Sequence, residues 1–483
     1  MEVPKTDNNQ KVIRPFLRAT SRTRTGDLRI TNALLYQLSQ SGEYVACFLW
    51  FLTKAGAKVL HFFDMCKYFM KKSAFIGVFL LFATIMSAQT HTRVFHEKIR
   101  TLRVAREVLR LGEGDQLHIS FDEMSHDVHF YTYSVQMLNG ELLNGEYLQG
   151  FTTRDISDFE HSINTSREYT HYWFDFPNED MRLTKSGQYR LTIYEDGNPD
   201  NKVAEVDFCV VEPLVKIDAK VRANTDIEYN GRYQQLDIDL AIDQVGSFQP
   251  SEFSLTVTQN NRLDNAVTLK RPTYVEPQRL RYINTKDLIF EGGNEYHHFD
   301  AFSCFYAGIG IDRVFHEMGD YHAPLFADEV TRGEYIHQFD SNGRFVVNAE
   351  RTQDDDTEAE YMWVYWTLPM ERPFFDGALY VGGDLFENEL NLKNRMQYDN
   401  DTKCYWLTSL VKQGGYDYQY WFVPKQPTAN SQQLTANKNT TTQRVDGSYW
   451  QTENEYAIYV WWRPFGARYD RLVGVSVIRS NAL

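Results

Sequence analysis

Leu236, Ile238, Leu240 and Ile242 are separated by Asp237, Asp239 and Ala241, and Leu117, Ile119 and Phe121 repeat the pattern. A period of two places successive side chains on opposite faces of a strand, one face on a core and one in water, as half-buried antiparallel strands require. Long amphipathic helical patterns are nearly absent. Residues that accept positive φ or fix a turn mark the joints: Glu113-Gly114-Asp115, Asn139-Gly140, Asn144-Gly145, Asp196-Gly197, Ser341-Asn342-Gly343 and Asp446-Gly447. Strands at this spacing without intervening helices favour sandwiches. The expected fold is therefore all-β: tandem immunoglobulin-like β-sandwich domains with long loops, preceded by a signal peptide.

The signal peptide is read inside the chain. Met70-Lys71-Lys72 precedes an apolar run from Ala74 to Met86, 13 residues, and the small pair Ser87-Ala88. A basic head, a short apolar run and a small residue at the end are the parts of a secretory signal, and the run is shorter than the roughly 20 residues that span a bilayer. Residues 70–88 are thus expected to direct export, with Gln89 or Thr90 first in the mature chain. Residues 1–69 lack an apolar period and resemble leaders of gene models begun too far upstream. A cytoplasmic tail ahead of a membrane anchor is the alternative.

Breaks at Pro213 and from Pro369 to Pro373 suggest three modules. These are an N-terminal β-sandwich at 94–212, a middle β-rich domain at 213–370, and a C-terminal immunoglobulin-like sandwich at 371–483. Between Pro424 and Val445 lies a Thr, Asn and Gln tract with almost no apolar content. It has too little surface to bury against its ordering entropy, so residues 424–445 read as a mobile loop.

Charge narrows the partners. Residues 1–88 hold 12 Lys and Arg against 5 Asp and Glu, which leaves the remainder 38 basic and 60 acidic residues, a balance of −22. Such a surface repels phosphate backbones and anionic headgroups, so nucleic acid and direct membrane insertion are not expected. Cys209, Cys304 and Cys404 follow the signal, far apart and each in an apolar run, which is no disulfide framework and reads as buried small hydrophobes.

No catalytic constellation emerges: there is no Gly-x-Ser-x-Gly elbow, no His-Glu-x-x-His and no phosphate-cradling glycine loop. His297-His298, His316, His322 and His337 fall near Asp300, Asp312, Asp320 and Asp328, yet without the paired spacing of a zinc motif. The acidic run Asp354 to Glu360 lacks the glycine of a calcium loop and reads as a solvated hairpin tip. No enzyme activity, metal, cofactor or small-molecule substrate is expected.

Aromatic residues raise a second possibility, an exported carbohydrate-binding sandwich. Tyr416, Tyr418, Tyr420 and Phe422 share one face of a strand, as a stacking platform or as core. Trp363 and Trp366 fall on opposite faces of theirs, as do Trp461 and Trp462. The phrases Ala378 to Leu385, Tyr405-Trp406 and Gly414 to Tyr420 resemble the early strands of glycogen-binding-type immunoglobulin modules, a likeness that predicts a sandwich.

Several further phrases resemble one family together. They include Tyr147-Leu148-Gln149-Gly150-Phe151, Phe176-Pro177-Asn178-Glu179-Asp180-Met181-Arg182, Ser186-Gly187-Gln188-Tyr189, Gly293-Asn294-Glu295-Tyr296, Gln451 to Tyr456 and Arg463 to Leu472. They are similar to the plug protein of the Bacteroidetes type IX secretion system. The resemblance implies a β-rich periplasmic protein, held at the outer membrane by a partner. That partner would be the giant translocon barrel of the SprA type, whose periplasmic mouth the plug closes by steric occlusion. The family carries no functional residues to transfer. On physical grounds the candidate contact surface is Arg463, Phe465, Arg468 and Tyr469, where arginine and aromatic residues crowd a turn of an acidic protein. An internal brace on the last hairpin is the competing reading: exposed Arg468 and Tyr469 would favour contact, and buried, paired ones the brace.

Overall fold

The alternating run becomes the strand Tyr233–Ala241, with Leu236, Ile238 and Leu240 in a core. Its outward carboxylates find cross-strand cations: Asp237 meets Arg222 and Asp239 meets Arg281, each at 3.0 Å. Opposite charges facing each other across a ladder are the pairs that stabilise a sheet. The computed structural model describes residues 91–105, 108–425 and 440–480. The leader 1–69, the signal peptide 70–88 and residues 426–439 of the expected loop lie outside the described residues. The loop's far end is packed: Thr441 bridges Phe422, and Val445 is in a core.

Three sandwiches account for the described chain. In the first, one sheet runs His91–Val94, Lys202–Val211, Gly187–Glu195, Tyr131–Met137 and Thr153–Ile156, with Val108–Arg110 parallel to Lys202–Val211. The facing sheet runs Ile99–Ala105, Leu117–Glu123, Thr170–Phe176 and Asp158–His161. Leu117, Ile119, Phe121, Tyr133, Tyr189 and Phe208 fill the space between, each contributing about 1.5–3 kcal/mol by leaving water.

The next two sandwiches do not divide at residues 370 and 371. Phe253–Gln259 pairs with Glu455–Trp462, which in turn pairs with Arg471–Arg479, so the last hairpin completes the sandwich begun at Lys216–Arg222. Phe253, Leu255 and Val257 meet Tyr456, Ile458 and Val460 in one core. The third sandwich is therefore an insertion between Glu291 and Glu455. One sheet centres on Gly414–Pro424, flanked by His297–Asp300 on one side and by Phe345–Val347 and Gly377–Gly382 on the other. The other runs Phe315–Glu317, Asp320–Pro324, Tyr361–Pro369, Cys404–Lys412 and Gln397–Asp399. The proline cluster near 370 ends one strand of this insertion, because a ring without an N–H stops a ladder, and it marks no domain seam. Residues 290–340 supply three of the insertion's strands.

Gly414–Pro424 is buried on both faces. Tyr416, Tyr418, Tyr420 and Phe422 point into the insertion's core. Trp421 points the other way, under the Arg262 guanidinium of the middle sandwich at 4.5 Å. The Tyr stripe is core and has no face left to stack a sugar. Trp461 packs toward the first sandwich and Trp462 into the middle core, on opposite faces as the alternation requires. Among the described residues no helix is long and apolar enough to cross a membrane.

Candidate functional site

The turn after Glu455–Trp462 carries the candidate contact residues, and its two flanks behave differently. Arg463 Nε lies 2.7 Å from Asp470, and Arg468 pairs with Glu146 of the first sandwich. Glu141 donates its N–H to Arg468 O at 2.9 Å, and Tyr469 bridges Gly140. A hydrogen bond from the Leu143 N–H, then Arg468, holds the Glu146 carboxyl below its usual range. This flank ties the final turn to the first sandwich, and Arg463 and Arg468 at the same time keep about half their side-chain surface in water (49% and 54%). Phe465 is apart from it: Glu252 accepts its N–H at 3.1 Å, and its ring is 99% exposed. An exposed phenyl ring at the tip of a turn is the most exposed of the four candidate contact residues.

A seam that sequence reasoning missed joins the first sandwich to the insertion. Lys412 Nζ donates to Asp122 Oδ2 at 2.6 Å, Tyr361 Oη donates to the same oxygen at 2.7 Å, and His171 Nδ1 lies 2.6 Å from Oδ1. Lys412 also donates to Asp356 O at 2.7 Å and sits 4.3 Å from the Tyr169 ring centroid. Arg103 pairs with Asp356 nearby. Burial disfavours both charges and lowers the Lys412 ammonium, but the Lys412 charge and His171 hold Asp122 below the usual carboxylate range. The acidic run 354–360 belongs to this seam and is not a solvated tip. Asp355–Glu358 forms a helical turn capped by Asp354, and the buried Glu360 accepts the N–H of Ser166 at 2.6 Å. Asp122 and Lys412 occupy outward positions of their strands. In an isolated sandwich such positions are solvated, so nothing in the sequence set them apart.

The histidine group is placed by carboxylates. His297 lies 3.2 Å from Asp328 and 3.0 Å from Asp446; His298 lies 2.8 Å from Asp300 and 2.7 Å from Asp417. Burial alone would lower both imidazoles, but the paired carboxylates outweigh it and push them up to about 10 and about 9. Two protonated rings with both nitrogens engaged are structural cations. His316 packs on Tyr321, His322 lies 2.7 Å from Tyr365 Oη, and His337 lies 3.4 Å from Glu295, so these are not brought together. A different set, Glu123, His129 and Glu195, has metal-ligand proximity. The Lys98 ammonium already bonds both glutamates there, 3.0 Å from Glu123. Cys209 is buried where the first sandwich meets the last hairpin, while Cys304 and Cys404 are half-buried.

Comparison with known proteins bears on the first sandwich and on the whole. Residues 91–212 match the family model for the type 9 secretion system plug protein 1st domain. A crystal structure of a hypothetical protein from Parabacteroides merdae is 35% identical to this chain with a TM-score of 0.77, covering 82% of this chain and 100% of that one. No curated protein matches the chain.

Proposed function

Since the chain belongs to the type IX secretion system plug protein family, we propose that it works in the periplasm as the stopper of that system. In this reading it closes the periplasmic opening of the giant SprA-type translocon barrel by steric occlusion and catalyses no reaction. The observation that carries the reading beyond family membership is the way the plug domain is held. It is locked to the insertion by the buried Lys412–Asp122 contact and to the last hairpin by Cys209, Val211, Tyr459 and Leu472. A stopper must not deform under load, and close-packed interiors with low compressibility meet that need. The signal read at 70–88 and the acidic balance agree with an exported protein held at the membrane by a protein partner.

Capture of the tagged mature protein from outer-membrane extract tests this. Recovery of a large barrel protein is expected, and its absence would overturn the reading. Cells lacking the protein should also admit bulky antibiotics that an intact outer membrane excludes. The carbohydrate-binding alternative loses its main support, because Tyr416, Tyr418, Tyr420 and Phe422 are buried.

A further inference from the structure

At one corner of the molecule two different sandwiches each leave an apolar side chain in water. Phe465 of the final turn stands almost wholly exposed, and Leu143, in the loop that follows Tyr131–Met137, is 76% exposed. Local structure requires neither side chain. Phe465 is a central residue of a turn closed by the Ala467 N–H on Pro464 O, and the positive φ such a turn needs is taken by Gly466 at 82°. Leu143 occupies the N-cap of the helical turn Asn144–Tyr147, where Ser, Thr, Asn or Asp would satisfy a backbone N–H and leucine does not.

The loop and the turn are held in a fixed relation. Asp470 donates its N–H to Asn139 O at 2.9 Å, the Asn139 amide donates to Asp470 O at 2.7 Å, and Glu141 donates its N–H to Arg468 O at 2.9 Å. Glu146 sets the Leu143 backbone: its Oε2 accepts the Leu143 N–H, and its own N–H donates to Leu143 O, each at 2.8 Å. None of these links uses the Arg468 side chain. The arginines of the corner are already matched, Arg463 by Asp470, Arg468 by Glu146 and Arg471 by Glu212, and Glu141 and Glu252 add further acid. Such a corner does not attract phosphates or anionic headgroups. It presents two apolar side chains within a polar rim, the anatomy of a protein–protein contact.

We infer that Leu143 and Phe465 are paired anchors for an apolar protein surface, so that the first and middle sandwiches dock together as one unit. The inference rests on the stopper reading, in which that surface belongs to the translocon barrel. An anchor on the plug domain and another on the final turn make docking depend on how the two meet. The barrel receives both tips only while the contacts of Asn139 and Gly140 with Tyr469 and Asp470 hold.

Titration of tagged mature protein against outer-membrane extract, read as the barrel captured at each concentration, tests this. Leu143→Ser should weaken capture at least about five-fold, the loss that marks an anchor. Its melting temperature should stay in place or rise slightly, because the leucine is largely in water and serine caps the helical turn. Gly140→Val, which displaces the final turn and alters neither tip, should weaken capture as well. Leu392, 85% exposed on the insertion, is the control, and Leu392→Ser should leave capture unchanged. Unchanged capture by Leu143→Ser, or an equal loss with Leu392→Ser, would overturn the inference while leaving the stopper reading intact. Binding to vesicles of phosphatidylethanolamine and phosphatidylglycerol that falls with Leu143→Ser would assign the corner to a bilayer and overturn it too. No capture by the unaltered protein would sink the stopper reading, and the paired anchors with it.

Discussion

Lys412 and Asp122, 290 residues apart in the chain, meet at 2.6 Å with both side chains sealed from water. Such a pair is poor evidence of net stability, since desolvation offsets much of the attraction, but it is costly to break from one side. Lys412→Met should strand the Asp122 carboxylate and destabilise the protein by about 3–5 kcal/mol. The measurement is the urea midpoint followed by tryptophan fluorescence. Adding Asp122→Asn removes the stranded charge and should restore a large part of the loss.

His297 and His298 set a pH dependence on the alkaline side. Unfolded histidines titrate near about 6.5, whereas these hold their protons up to about 10 and about 9. Their stabilisation is present in full below pH ~6.5 and is lost as pH rises through the folded values. Burial pushes Asp340 up to about 7 and acts similarly on Glu387. Those two acids favour the protonated form when folded, so their cost grows from about pH 4 to 7 and then levels off. Thermal melting between pH 7.5 and 9.5 therefore lies above the range of those two acids. The melting temperature should fall across that interval, and His298→Gln should flatten the slope.

Gly140 stands where the first sandwich touches the final turn. A Cβ at this position would overlap Tyr469 Cβ and lie 3.1 Å from Tyr469 Cα. Gly140→Val should push the turn away at a cost of about 1–3 kcal/mol, the usual range for overpacking. Limited proteolysis should then cut the 139–146 loop faster, with the first sandwich's core intact.

That glycine also shows where the sequence stopped being informative. Asn139-Gly140 reads as turn chemistry, yet Gly140 is small because Tyr469 approaches it from more than 300 positions away. Local information was legible: the Leu236 to Leu240 alternation, and the turns at Asp196-Gly197 and Asn342-Gly343, all four residues at positive φ. The common face of Tyr416, Tyr418, Tyr420 and Phe422 follows from the same period of two. Pairing was not legible. Nothing near Phe253–Gln259 says that its neighbour is Glu455–Trp462, because register is set by contacts across the whole insertion. Outward residues were ambiguous for the same reason: Asp237 faces water and a surface arginine, while Asp122 faces another domain.

Phe465 and Arg468 separate contact from brace in the final turn. Phe465 leaves its ring in water and its backbone on Glu252, so Phe465→Ser should change stability by no more than about 0.5 kcal/mol. If the ring anchors in a pocket of the barrel, its loss should cost at least about 2 kcal/mol of affinity, roughly thirty-fold, as for aromatic hot spots. Arg468 pairs with Glu146 at the surface, and exposed pairs contribute about 0–1 kcal/mol. Arg468→Ala should therefore lower the melting temperature slightly and leave barrel capture unchanged. The reverse pattern, capture lost with Arg468→Ala and kept with Phe465→Ser, would move the contact from the tip of the turn to its base.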